Sequence, residues 1–154
     1  MDSAHWGWQL ARVIVPSILI VIGWVVVSRE HDKRETRKET RSFLDKTIAN
    51  VEDIRDLAFS YFTASCEVEA GAEGAKIGPL LMRLEKDLKF LSLNDANGKL
   101  VNAMELRQAI TGHNAYMTEP RRVLKCNDNS LMQINIFAHD LINELEVAYR
   151  KQYQ

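Results

Sequence analysis

Cysteine is scarce in this chain of 154 residues: Cys66 and Cys126 stand far apart, with no CxxC spacing and no flanking histidine pair. That excludes a zinc knuckle and a disulfide framework, and reads as two reduced thiols. A formal net charge of -1 gives no general reason to expect a nucleic-acid partner. The motifs that announce common chemistries are also missing. There is no GxxxxGK[ST], no strand followed by GxGxxG, no HExxH and no Glu-x-x-His pair, so nucleotide cradles, zinc peptidase sites and di-iron bundles have no footing, and no cofactor or metal is implied. No stretch alternates convincingly between apolar and polar residues, which excludes an exposed antiparallel sheet. What is left is an all-α chain.

Charge is missing altogether from Val13 to Ser28. Counted back to Trp8, with Arg12 as the sole interruption, the run is roughly 30 Å long as a helix, the thickness of a bilayer's hydrocarbon core. Trp6 and Trp8 fit the head-group level at one end and Trp24 lies near the other, while Arg12 can snorkel to the same interface. Pro16 falls in the first turns, where a missing N–H costs least. Only Arg12 is basic on the N-terminal side, whereas Arg29, Lys33, Arg34, Arg37, Lys38 and Arg41 follow the run closely. The positive-inside rule then puts the N-terminus outside and the rest of the chain in the cytoplasm, as a single-pass protein of the inner membrane. A cleaved signal peptide fits less well, because a dense basic cluster just after the cut resists translocation.

Aliphatic and aromatic residues are absent between Val27 and Phe43, in SREHDKRETRKETRS. The composition favours helix, with Glu30 and Arg34, and Glu35 and Lys38, spaced to pair across a turn. It offers no coiled-coil seam. Such a helix is a solvated stalk, a basic stripe on anionic lipid, or the wall of a wet vestibule made by several copies. Beyond it Leu44, Ile48, Val51, Ile54 and Tyr61 recur at helical spacing, so one helix should run from the membrane to about Ser65. Gly71, Gly74, Gly78 and Pro79 then predict a flexible loop, followed by a helix from Pro79 to Leu93, a tight turn at NDANG, a helix from Lys99 to Thr111, a long loop, and a last helix from about Leu131 to Arg150 capped from among Asp128, Asn129 and Ser130. The organisation expected is a short extracytoplasmic N-terminus (1–7), a transmembrane helix (8–28), a charged juxtamembrane helix (29–42) and a cytoplasmic bundle of about four helices (43–154).

Two sets of residues carry candidate chemistry. Arg121, Arg122 and Lys125, in the long loop, could hold a phosphate or an acidic partner, although solvated loop charges are commoner. Arg107 and His113, in RQAITGH, have the arginine-to-histidine spacing of HEPN ribonucleases, small helical domains that pair two such motifs over RNA. A histidine can move a 2′-hydroxyl proton while an arginine steadies the charge on the phosphate. The spacing is undemanding, and Gln108 departs from the Asn, Asp or His that those motifs favour after the arginine. His139 and Asp140 are adjacent, but lack the further histidines of a metal phosphohydrolase.

Membrane helix, charged helix and HEPN-like bundle together resemble the small membrane protein that accompanies the RNA-guided ribonuclease of type VI-B CRISPR systems. The resemblance implies a ring-shaped homo-oligomer with a membrane pore, an accessory role in bacterial antiviral defence, and an Arg/His motif that need not cut RNA. Only Ser17 and Gly23 break the apolar surface of the span, so a pore would close at a dry constriction. Two functions follow from the sequence: a non-enzymatic membrane protein whose bundle binds itself or a protein partner, or a membrane-tethered HEPN ribonuclease acting on RNA through Arg107 and His113.

Overall fold

A computed structural model of the chain describes residues 3–118 and 122–153, with side chains described from Gly23 onward except Val26 and Glu69. Among the described residues the regular structure is all-helical: α1 (Ser3–Thr63), α2 (Glu67–Leu91), α3 (Met104–Thr111) and α4 (Asn129–Tyr153). The chain divides into two compact units, 1–40 and 41–154.

The first unit is helical along its described length. Trp24 and Val27 are exposed, and the charged stretch ties itself together locally: Lys33 pairs with Glu30 at 3.6 Å and His31 with Glu35 at 3.7 Å. Those pairs differ from the Glu30–Arg34 and Glu35–Lys38 pairs that spacing suggests, because neighbours three and four residues away compete for each carboxylate. The Thr36 and Thr40 hydroxyls donate to carbonyls one turn back. Most side chains of the expected span, together with Trp6, Trp8 and Arg12, lie outside the described residues. Among those described, no helix is long and apolar enough to cross a membrane.

The second unit is a bundle built on the far end of α1. Leu44, Val51, Ile54, Ala58 and Tyr61 are buried along one stripe, each a helical turn or two from the next, with Phe62 beside its end. Ile77, Leu81, Leu84 and Leu88 of α2, Leu106 and Ile110 of α3, and Leu131, Ile134, Ala138, Leu141 and Leu145 of α4 close over it. Thr47, the one buried polar side chain among the described residues, donates to the Phe43 carbonyl at 2.9 Å, so its burial leaves no unmet hydrogen bond.

Where a flexible loop is expected at Gly71 to Pro79, α2 is continuous instead. Tertiary packing overrides weak local propensity here. Gly74 is buried, and a Cβ at this position would lie 2.7 Å from Cε2 of Tyr61, so this glycine brings α2 close to an aromatic ring of α1 rather than making a turn. Pro79 is exposed, where the carbonyl it leaves without a partner can be hydrated. Gly78 precedes it and has no Cβ to meet the proline ring.

The NDANG turn is present. Asp95 accepts the amides of Asn97 and Lys99 at 2.8 Å each, Gly98 takes φ +79°, and Val101 N–H donates to the Leu93 carbonyl at 3.0 Å. That pairing keeps residues 99–103 out of the helix, so α3 starts at Met104 rather than Lys99, with its first amide received by the Asn102 side chain at 3.0 Å. Asp128 caps α4 by accepting the Ser130 amide at 2.9 Å, which moves the start to Asn129. The loop between α3 and α4 is packed down rather than free: Ala115 and Leu124 are buried, the Tyr61 hydroxyl accepts the Met117 amide at 2.8 Å, and Leu124 N–H donates to the Phe62 carbonyl at 2.9 Å.

Gly74→Ala is expected to lower stability by about 1–3 kcal/mol through overpacking against Tyr61. Gly71→Ala, with open space around it, is expected to raise stability by about 0.5–1 kcal/mol. Thermal unfolding of the two variants under the same conditions is expected to give midpoints on opposite sides of the parent.

Candidate functional site

Arg107 and His113 sit at the two ends of α3's second half, and their side chains leave in different directions. Arg107 forms an ion pair with Glu85 of α2, Nη1 to Oε1 at 2.6 Å, and lines a depression of about 610 Å³ with Leu88, Leu100, Val101 and Met104. His113 follows the helix and lines another depression of about 510 Å³, shared with Gln108, Ser130, Gln133 and Phe137. The two residues share neither a partner nor a lining.

His113 has both ring nitrogens engaged. Nδ1 accepts the Ala115 amide at 3.1 Å and Nε2 stands 2.8 Å from the Ser130 hydroxyl. An accepting Nδ1 carries no proton, so in the neutral ring Nε2 holds the proton and donates it to Ser130. This is the reverse of a serine–histidine nucleophile pair, in which Nε2 must accept from the hydroxyl. Phe62 meets the imidazole edge-on at 5.7 Å between centroids, so the ring is fixed as part of the wall between the loop and α1. Ser130 also binds the Asp128 carboxylate, and these bonds hold that group below the usual carboxylate range. The His113–Ser130–Asp128 chain therefore fastens the start of α4 to the end of α3.

Of the loop cations, Arg121 lies outside the described residues, while Arg122 and Lys125 are exposed. The charge of Arg122 acts weakly on Asp128. No arrangement of the three around a common point is described. His139 and Asp140 are both exposed on α4, and among the described residues no group of three or more His, Cys, Asp or Glu side chains could hold a metal ion. Cys66 and Cys126 are free and exposed.

Among the residues assigned by sequence to the membrane interface, Arg29, Lys33, Arg34, Arg37 and Lys38 are exposed on α1. Arg41 is placed differently. It donates from Nη1 and Nη2 to both oxygens of Glu146 on α4, at 2.9 and 2.8 Å, contacts Asp45 at 2.9 Å, and lies 5.5 Å from the centre of the Tyr149 ring. The fork-to-fork geometry is the strong form of such a pair. With the two side chains 41% and 24% exposed, solvent screening limits it to about 1 kcal/mol. Sequence spacing gives no hint of it, since Glu146 is 105 residues away. Glu85 and Ser130 are likewise invisible partners, recognisable beforehand only as a helix-surface acid and a candidate cap.

Comparison with known proteins finds no matching family model, no similar curated protein and no similar solved structure.

The Glu146 carboxyl is held below its usual range, first by the hydrogen bonds from Arg41. A depressed folded value means that this stability is fully present above the ordinary carboxylate pKa and is lost as pH falls through the folded one. Glu146→Gln is therefore expected to lower the thermal midpoint at pH 7, and the gap from the parent should close below about pH 4. A gap that stays constant with pH would mean that the ion pair contributes nothing.

Proposed function

We propose that this chain is a non-enzymatic, single-pass membrane protein whose helical bundle associates with further copies of itself. The N-terminus is outside, Val13 to Ser28 cross the inner membrane, and the bundle lies in the cytoplasm. The membrane half rests on the sequence: an uncharged run of spanning length, tryptophans at its end and basic residues concentrated after it.

The non-enzymatic half is carried by one observation. Arg107 and His113, the pair with the best claim to catalysis, are each committed within the bundle and open on different depressions. A general base needs a free lone pair directed at its substrate, and an arginine that stabilises a phosphate must face the same point as that base. Within one copy the His113 Nδ1 lone pair is taken by the Ala115 amide, and Arg107 pairs with Glu85 and opens on a different depression. Association is supported by what the bundle leaves outside: Phe90, Met82, Val68, Met104 and Leu100 are all more than half exposed. Large apolar side chains left exposed on a small domain favour contact with another surface.

Expressed in a bacterium, the chain is expected to remain with membranes after carbonate washing, and a reporter fused after Gln154 that works only outside the cytoplasm is expected to stay silent. Recovery as a soluble protein, or an active reporter, would overturn the membrane half. The purified chain should leave single- and double-stranded RNA intact. Cleavage that disappears in both Arg107→Ala and His113→Ala would establish the ribonuclease instead.

A further inference from the structure

Among the described residues the outer face of α2 is predominantly basic toward its C-terminal half. Lys76, Met82, Arg83, Lys86, Lys89 and Phe90 are exposed and fall on one arc of the helix at 3.6 residues per turn. The two neighbouring acids are already engaged: Glu85 pairs with Arg107, and Asp87 accepts from Asn50 at 3.2 Å and partly offsets Arg83 at 3.9 Å. Among the described residues Lys76, Lys86 and Lys89 form no intramolecular ion pair. Phe90 meets Phe43 at 4.9 Å between centroids, the rings tilted by 58°, and is 76% exposed. Keeping an aromatic ring and three ammonium groups together in water serves nothing inside the bundle.

The opposite sign gathers between α3, α4 and the turn before α3. Asp95, Glu105, Asp140 and Glu144 line one depression of about 160 Å³, whose remaining wall includes Leu100 and Phe137. No lysine or arginine lines it, and none of the four carboxylates forms an ion pair among the described residues. Partial burial, followed by the negative charges of Asp95, Glu105 and Asp140, pushes the Glu144 carboxyl above its usual range. Like charges crowded on one chain are destabilising until a cation arrives.

We propose that the basic, Phe90-bearing face of α2 on one copy seats on the acidic depression between α3 and α4 of a second copy. This rests on the reading of the bundle as a self-associating module and names the two surfaces that meet. The occupant is a second copy because the chain carries both halves: cations beside exposed Met82 and Phe90 on one surface, a similar number of carboxylates beside exposed Leu100 and half-buried Phe137 on the other. The contact joins unlike surfaces, so every copy offers one of each and the contact repeats from copy to copy. Charge complementarity sets which surfaces meet, and burial of the apolar side chains holds them.

The test uses the full chain in mild detergent, with donor or acceptor fluorescent proteins fused after Gln154, and reads energy transfer between copies. The parent should associate, and more weakly as salt rises from about 0.05 M to about 0.5 M. Lys86→Glu with Lys89→Glu, and separately Asp140→Lys with Glu144→Lys, should each weaken self-association by at least about tenfold. All four positions are exposed, so helical content should be unchanged. Mixing the two charge-reversed proteins should restore transfer, which a folding defect would not. If the parent associates and neither reversal weakens it, this interface is wrong while self-association stands. If the reversals weaken transfer but their mixture restores none, the two surfaces do not meet each other and the proposal fails. No transfer in the parent would overturn both the interface and the proposed function.

Discussion

The bundle depends on one stripe of α1. Along the charged stretch before Phe43 the helix has no apolar side to bury, and Leu44 is the first buried residue of α1 among those described. From there to Phe62 the stripe receives the other elements: Tyr61 meets α2 at Gly74 and the long loop at Met117, and Phe62 receives Leu124 and the His113 ring. At the other end of the stripe Arg41 holds α4 through Glu146. Removing apolar area from this stripe would cost stability throughout the bundle, since the buried residues of α2, α3 and α4 belong to the same core.

The same arrangement accounts for the character of the candidate site. A small domain that builds its corners from polar side chains has few left for chemistry. His113 fixes the loop to α4, Arg107 joins α3 to α2, and Asp128 caps a helix. Each has a partner on another element, as a structural role requires. The groups left uncommitted lie on the outside, with cations on α2 and carboxylates around Glu144, each beside exposed apolar side chains.

Much of the fold is legible in the sequence wherever hydrophobic spacing and turn chemistry agree. The unbroken first helix, the Asp95–Gly98 turn, the cap at Asp128 and the stripe from Leu131 to Leu145 all follow from local patterns. The start of α2 does not, because Gly74 is a packing residue whose reason is the Tyr61 ring thirteen positions earlier. Glycine read alone signals a break. The site residues are legible as residue types but their roles are not. Arg41 has the look of a lipid-facing cation until Glu146 is brought beside it, and Arg107 with His113 has the spacing of a nuclease motif until Glu85 and Ser130 take up the two side chains. In each case the deciding partner comes from another helix, which no local pattern encodes.

The central claim is that this bundle acts by meeting copies of itself. The most direct measurement is the native mass of the full chain extracted in mild detergent, corrected for bound detergent and lipid. The account predicts a mass that is a multiple of the 17.6 kDa chain and that shifts toward a single copy as protein is diluted in high salt. A mass of one chain at every concentration and at low salt would contradict it.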